Sequence, residues 1–114
     1  MNRKQKIMVL AVAGAALFGA APAMADDMYG KRAGAEAWSR GTNGGVAVKD
    51  NWADGDETYA KYDRRTTSKH ELRNKSGAVT TVYGPSDTTN YVRRLMACQE
   101  VDFQPDDCSA WSYR

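Results

Sequence analysis

The chain has 114 residues, 16 lysines and arginines against 14 aspartates and glutamates, a formal charge of +2, and two cysteines. That length bounds it to one domain with a modest core. Two cysteines ten residues apart and a single His70 exclude a four-ligand zinc centre.

The first stretch has the grammar of an export signal. Asn2-Arg-Lys-Gln-Lys6 is a basic leader, residues 7–20 are apolar, and Ala23-Met24-Ala25 places small residues where a signal peptidase cuts. The apolar run is shorter than the roughly 20 residues a membrane span requires, and no lipobox-type cysteine lies near the site. The expectation is a signal peptide over 1–25 and a secreted, extracellular product without a membrane anchor. Removing residues 1–25 takes away Arg3, Lys4 and Lys6 and no acid, leaving 89 residues with 13 basic and 14 acidic side chains, a net charge of −1. No nucleic-acid partner is expected from such a balance.

Only nine residues beyond position 25 are Leu, Val, Ile or Phe, whereas ten are aromatic. This composition predicts a thin core carried by aromatic side chains such as Tyr59, Tyr62, Tyr83, Tyr91, Trp38, Trp52 and Trp111. In an exported chain the two cysteines most simply form one bridge, Cys98 to Cys108. Closing that loop removes about 2.5–3 kcal/mol of unfolded-state freedom.

Residues 26–43 mix glycine, alanine and scattered charges without sustained periodicity, and read as a flexible N-terminal arm with Trp38 as its anchor point. From Gly44 the pattern alternates. Strands are predicted at Gly45–Asp50, 57–65, His70–Asn74, 78–83 and 89–98. Asp54-Gly55 is a hairpin signal, Asn74-Lys-Ser-Gly77 a turn, and Gly84-Pro-Ser-Asp87 a break. The expected fold is all-β: a small antiparallel β-meander forming a sandwich or flattened barrel over 44–114, with one C-terminal disulfide. Trp111 is expected to fold back over an open edge or end of the core.

Candidate chemistry is sparse. The acidic stretch from Asp50 to Glu57 invites comparison with a calcium loop, but Trp52 falls on the third position and Lys61 on the twelfth, where a bidentate Glu is required. A solvated loop tip is the simpler reading, and no cofactor or metal is expected. No hydrolase, metalloprotease or nucleotide-binding signature surrounds His70. Arg64, Arg65, Lys69, Arg73, Lys75, Arg93 and Arg94 would form a basic patch if their strands lie together. Arg64, Arg65, Arg93 and Arg94, interleaved with Tyr59, Tyr62 and Tyr91, are the candidate partner-binding set. Strand alternation splits each arginine pair between faces, and guanidinium stems lying over tyrosines account for the same residues structurally. Asn74-Lys-Ser76 is formally a glycosylation sequon, read here as turn chemistry.

Tyr59-Ala-Lys-Tyr62, Leu72-Arg-Asn-Lys-Ser-Gly77 and the ending Arg94-Leu-Met-Ala-Cys98…Asp107-Cys108-Ser-Ala-Trp111 together resemble small, uncharacterised exported proteins of filamentous actinobacteria. The resemblance spans residues 44–111 and implies an extracellular, disulfide-containing β domain. A weaker similarity to lactococcin-like bacteriocins rests on Tyr59-x-x-Tyr62 and Ser68-Lys-His70. The functional expectation is a secreted, non-enzymatic binding module for an extracellular protein or surface polymer. The alternative is an exported enzyme inhibitor or bacteriocin-like antagonist presenting the 98–108 loop.

Overall fold

A computed structural model describes residues 28–114, and the expected export signal lies outside them. The described residues form β1 (Tyr29–Arg32), β2 (Ala35–Arg40), β3 (Gly45–Asp50), β4 (Thr58–Arg64), β5 (His70–Asn74), β6 (Thr80–Tyr83), β7 (Val92–Gln99), β8 (Asp107–Cys108) and β9 (Ser112–Tyr113). All pairings are antiparallel. The first sheet runs β1-β2-β3-β6; the second runs β5-β4-β7, with β8 and β9 both on the far edge of β7. The two sheets face one another, so the expected all-β antiparallel sandwich is what forms.

Its connectivity is only locally a meander. The chain crosses between sheets from β3 to β4, from β5 to β6 and from β6 to β7. Asp54-Gly55 therefore does not join paired strands. Gly55 does supply a positive φ of 79°, but the turn carries the chain from one layer to the other. Asp50 Oδ1 accepts from Trp52 N–H and Asp54 Oδ1 from Asp56 N–H. Among the described residues, no group of three His, Cys, Asp or Glu side chains converges as a metal site would require.

The flexible arm expected at 26–43 is corrected over its described residues, 28–43. Its residues build β1 and β2, the edge and second strands of the first sheet. In β2, Ala35, Ala37 and Ser39 are buried while Glu36, Trp38 and Arg40 are half-exposed. Period two is present, but its inward face is written in alanine and serine, residues of weak strand preference. The edge strand β1 then closes one side of the sandwich. A Cβ on Gly30 would meet Ser109 Oγ at 2.8 Å and the Ala97 nitrogen at 3.2 Å, so only glycine fits against β7 there. Tyr29 N–H donates to Ser112 Oγ at 3.0 Å, and Arg32 pairs with Asp107 at 2.6 Å across the same seam.

The aromatic core is also corrected. The interior cluster comprises Met28, Ala35, Ala37, Val46, Val48, Ala60, Val92, Leu95 and Ala97, with Tyr62 its one ring and Leu72 and Val82 at its margin. Alanines from both sheets, Ala35 and Ala37 on one and Ala60 and Ala97 on the other, take up much of this interior. The other aromatics lie outside this cluster, and four of them carry a guanidinium over the face: Arg40 on Tyr83, Arg73 on Tyr59, Arg94 on Trp111 and Arg114 on Tyr91; Arg64 covers Tyr62 itself at the core edge. Stacked pairs of this kind occur about once per 70–80 residues in proteins at large, so here they are a principal device for covering aromatic surface.

Two buried polar side chains knit the loops together. Arg64 donates to the carbonyls of Gly44 and Asn90 (2.9 Å each) and Pro85 (3.0 Å). Asn74, 1% exposed, donates to Val48 O and Thr80 O and accepts from Ser76 N–H. The nitrogen a glycan would occupy is thus committed inside the fold, which supports the turn reading of that sequon.

Candidate functional site

On the outward face of the second sheet, side chains from β5, β4 and β7 fall into rows set by the register. Arg73, Tyr59 and Cys98 share one row; Glu71, Lys61 and Met96 the next; Asp63 and Arg94 the last. The two ends of this face differ in charge and in how completely they are covered.

At the Cys98 end the surface is closed. Arg73 lies 4.4 Å above the Tyr59 ring and binds Glu57 (3.1 Å), Glu71 (2.8 Å) and Glu100. Tyr59 donates its hydroxyl proton to Asp106. Burial and the neighbouring Asp106 carboxylate push the phenol far above its usual range. Cys98 and Cys108 face one another across the β7–β8 ladder as a disulfide with 4.0 Å between Cα atoms. The predicted bridge is therefore present, and it fits an oxidising compartment.

At the other end the face opens into a cleft of about 530 Å³, lined by residues that include Lys61, Tyr62, Asp63, Lys69, His70, Glu71, Arg93, Arg94 and Trp111. A bulge builds it. Asp63 pairs with Arg94 and Arg64 with Val92, so Arg93 is an extra residue in β7. Simple alternation predicts that Arg93 and Arg94 diverge; the bulge re-aims them. Both reach the Asp63 carboxylate, Arg94 Nε at 2.6 Å and Arg93 Nη2 at 3.4 Å. Lys69, at a positive φ of 63°, donates its backbone N–H to the other carboxylate oxygen at 2.8 Å. Burial opposes ionisation of Asp63, but Lys69 N–H, Arg94 and Arg93 outweigh it and hold the carboxyl below its ordinary range.

Asp63 is thus the post to which the cleft's two arginines and the Lys69 backbone are tied. Arg94 lies flat on Trp111, 3.9 Å from the ring, and the strand following Trp111 pairs with β7 and covers its open edge. His70 stacks on Tyr62 with ring centroids 5.2 Å apart, and its Nε2 lies 2.8 Å from Thr67 Oγ1. Lys61 is the only exposed residue in β4. The lining gathers four cations (Lys61, Lys69, Arg93 and Arg94) against two carboxylates (Asp63 and Glu71).

Of the seven predicted partner-binding residues, the cleft brings together Arg93, Arg94 and Tyr62. Tyr59 shares the face but is roofed by Arg73. Arg64 points to the loop carbonyls. Arg65 and Tyr91 sit at the end of the sandwich, where Arg65 N–H donates to Tyr91 O at 2.8 Å and Arg114 covers the Tyr91 ring at 4.2 Å. Sequence reasoning missed Lys61, Asp63, Glu71 and Trp111 as cleft residues. The one available signal was Lys61, a charge at the centre of a strand otherwise destined for burial.

Beyond the cleft, the 98–108 loop leaves Phe103 wholly exposed (106%) at a positive φ of 62°. No family model matches the chain, and neither do the curated proteins or the solved structures compared with it.

Proposed function

We propose that this protein is an exported, non-enzymatic binding module that engages an anionic extracellular protein or surface polymer through the cleft formed by β4, β5 and β7. The observation that carries this reading is the gathering of Lys61, Lys69, Arg93 and Arg94 around an open cleft walled by Trp111. A volume of about 530 Å³ lies in the range of ligand-sized pockets, roughly 300–1,000 Å³. Lys61, Arg93 and Arg94 stand on hydrogen-bonded strands, and Lys69 on the short β4–β5 connection is held by its backbone bond to Asp63, so little ordering entropy opposes binding. Binding fits the chemistry better than catalysis does. Asp63 is ionised and held by three donors, and His70 is stacked with a ring nitrogen engaged by Thr67. Neither is a free general base.

Dextran sulfate and polyglutamate serve as probes. Titration at low ionic strength should show binding that weakens with salt, and Lys61→Glu should weaken it at least about ten-fold, as loss of a close charge contact does. Absence of binding at low salt, or binding indifferent to Lys61→Glu, contradicts the proposal.

The inhibitor or antagonist reading retains one specific support, Phe103 presented at the tip of the disulfide-closed loop. It requires a target enzyme that co-purifies with the protein and is lost with Phe103→Ser.

A further inference from the structure

Phe103 is the most exposed large apolar side chain among the described residues, and its backbone occupies the left-handed region that bulky residues rarely adopt. Such strain persists where the surroundings over-determine it. The surroundings here are the Cys98–Cys108 bridge, the Glu100 contact to Arg73, the Asp106 contact to Tyr59 and the Gln104 N–H to Val101 O bond of 3.3 Å. The loop is therefore a fixed knob. Residues 99–107 include Glu100, Asp102, Asp106 and Asp107 and no cation.

The complement of that knob lies on the same chain. The cleft has an aromatic wall at Trp111, room for one ring with its flanking backbone, and an excess of cations at its rim. The knob cannot enter its own cleft. Arg94 and Cys98 are four residues apart on one strand, about 14 Å, and the full exposure of Phe103 means that none of the described residues covers it.

We infer that the protein self-associates, with Phe103 and the acidic loop of one copy seated in the cationic cleft of a second copy. Knob and cleft belong to the same outward face, since the loop's base is tied to Tyr59 and Arg73 of that face. Two copies packed face to face about a two-fold axis therefore exchange knobs reciprocally and close as a dimer, the commonest symmetric assembly. This inference rests on the reading of the cleft as an anion-accepting site and names its partner.

Sedimentation equilibrium of the purified protein across concentration and salt is the test. The mass should rise from one protomer to two, with association weakened at high salt. Phe103→Ser, at a side chain that makes no internal packing, should weaken it about thirty-fold, as loss of an interface hot spot does. Lys61→Glu should do likewise from the other side of the contact. A mixture of the two variants should associate more tightly than either variant alone and less tightly than the parent, because the mixed pair keeps one native knob-and-cleft contact and a pair of either variant keeps none. A protomer mass at every concentration, or association unchanged in both variants, overturns the inference. Dextran sulfate binding in parallel separates the two claims. A monomer whose polymer binding still depends on Lys61 refutes self-association and leaves the cleft reading standing.

Discussion

At the scale of single residues, Asp63 organises the candidate site. Its carboxylate accepts from Lys69 N–H, Arg94 and Arg93, and its pKa in the folded protein lies below its unfolded value. A depressed carboxyl contributes stability that is fully present above the unfolded pKa, about 3.9, and lost as pH falls through the lower folded value. Denaturant midpoints should therefore hold steady above about pH 5 and decline below about pH 4. Asp63→Asn should cost roughly 1–3 kcal/mol at pH 7, the worth of hydrogen bonds to a charged group, and should flatten the acid decline. A variant as stable as the parent at pH 7, with the same acid limb, would remove Asp63 from this role. The residue scale was also where sequence patterning was weakest. Nothing in Tyr91-Val-Arg-Arg-Leu95 announces which residue the ladder will skip, and that choice decides whether Arg93 and Arg94 share a target.

At the scale of elements, the strands Gly45–Asp50 and His70–Asn74 were legible to the residue, because Val46 and Val48 recur at period two in the first, Leu72 stands between charged side chains in the second, and turn residues bound each run. The strand Ala35–Arg40 was not. Alanine occupies its buried positions, and a stripe of alanine does not stand out from a loop rich in glycine and alanine. The same alanines misdirected the reading of the core. They take up much of the interior, while most rings lie outside it, four of them beneath arginines. A sequence shows the aromatic count, whereas what fills the interior depends on which strands face each other. The disulfide was legible because two cysteines in a chain expected to be exported leave one pairing. It tethers β8 to β7 and fixes the base of the Phe103 loop. The Cys98→Ser/Cys108→Ser variant should lose about 2–3 kcal/mol in denaturant unfolding while keeping the β signature in circular dichroism. An unchanged midpoint would mean that the ladder and the Arg32–Asp107 pair hold this edge unaided.

At the scale of the whole molecule, the second sheet carries a division of labour along one face. Its Cys98 end is closed by Arg73, Tyr59 and three glutamates, and projects an acidic, aromatic-tipped loop. Its Arg94 end is open, cationic and walled by Trp111. Near-neutral net charge conceals this polarity, because opposite charges are sorted to opposite ends of the same strands. The central claim, that the open end is the binding surface, is tested most directly by mapping backbone amide chemical shifts during titration with polyglutamate. The account predicts that the largest, salt-sensitive shifts fall on Lys61, Lys69, Arg93, Arg94 and Trp111, with little change on the outer face of β2 and β3. Shifts centred on the first sheet, or spread evenly over both sheets, would contradict it.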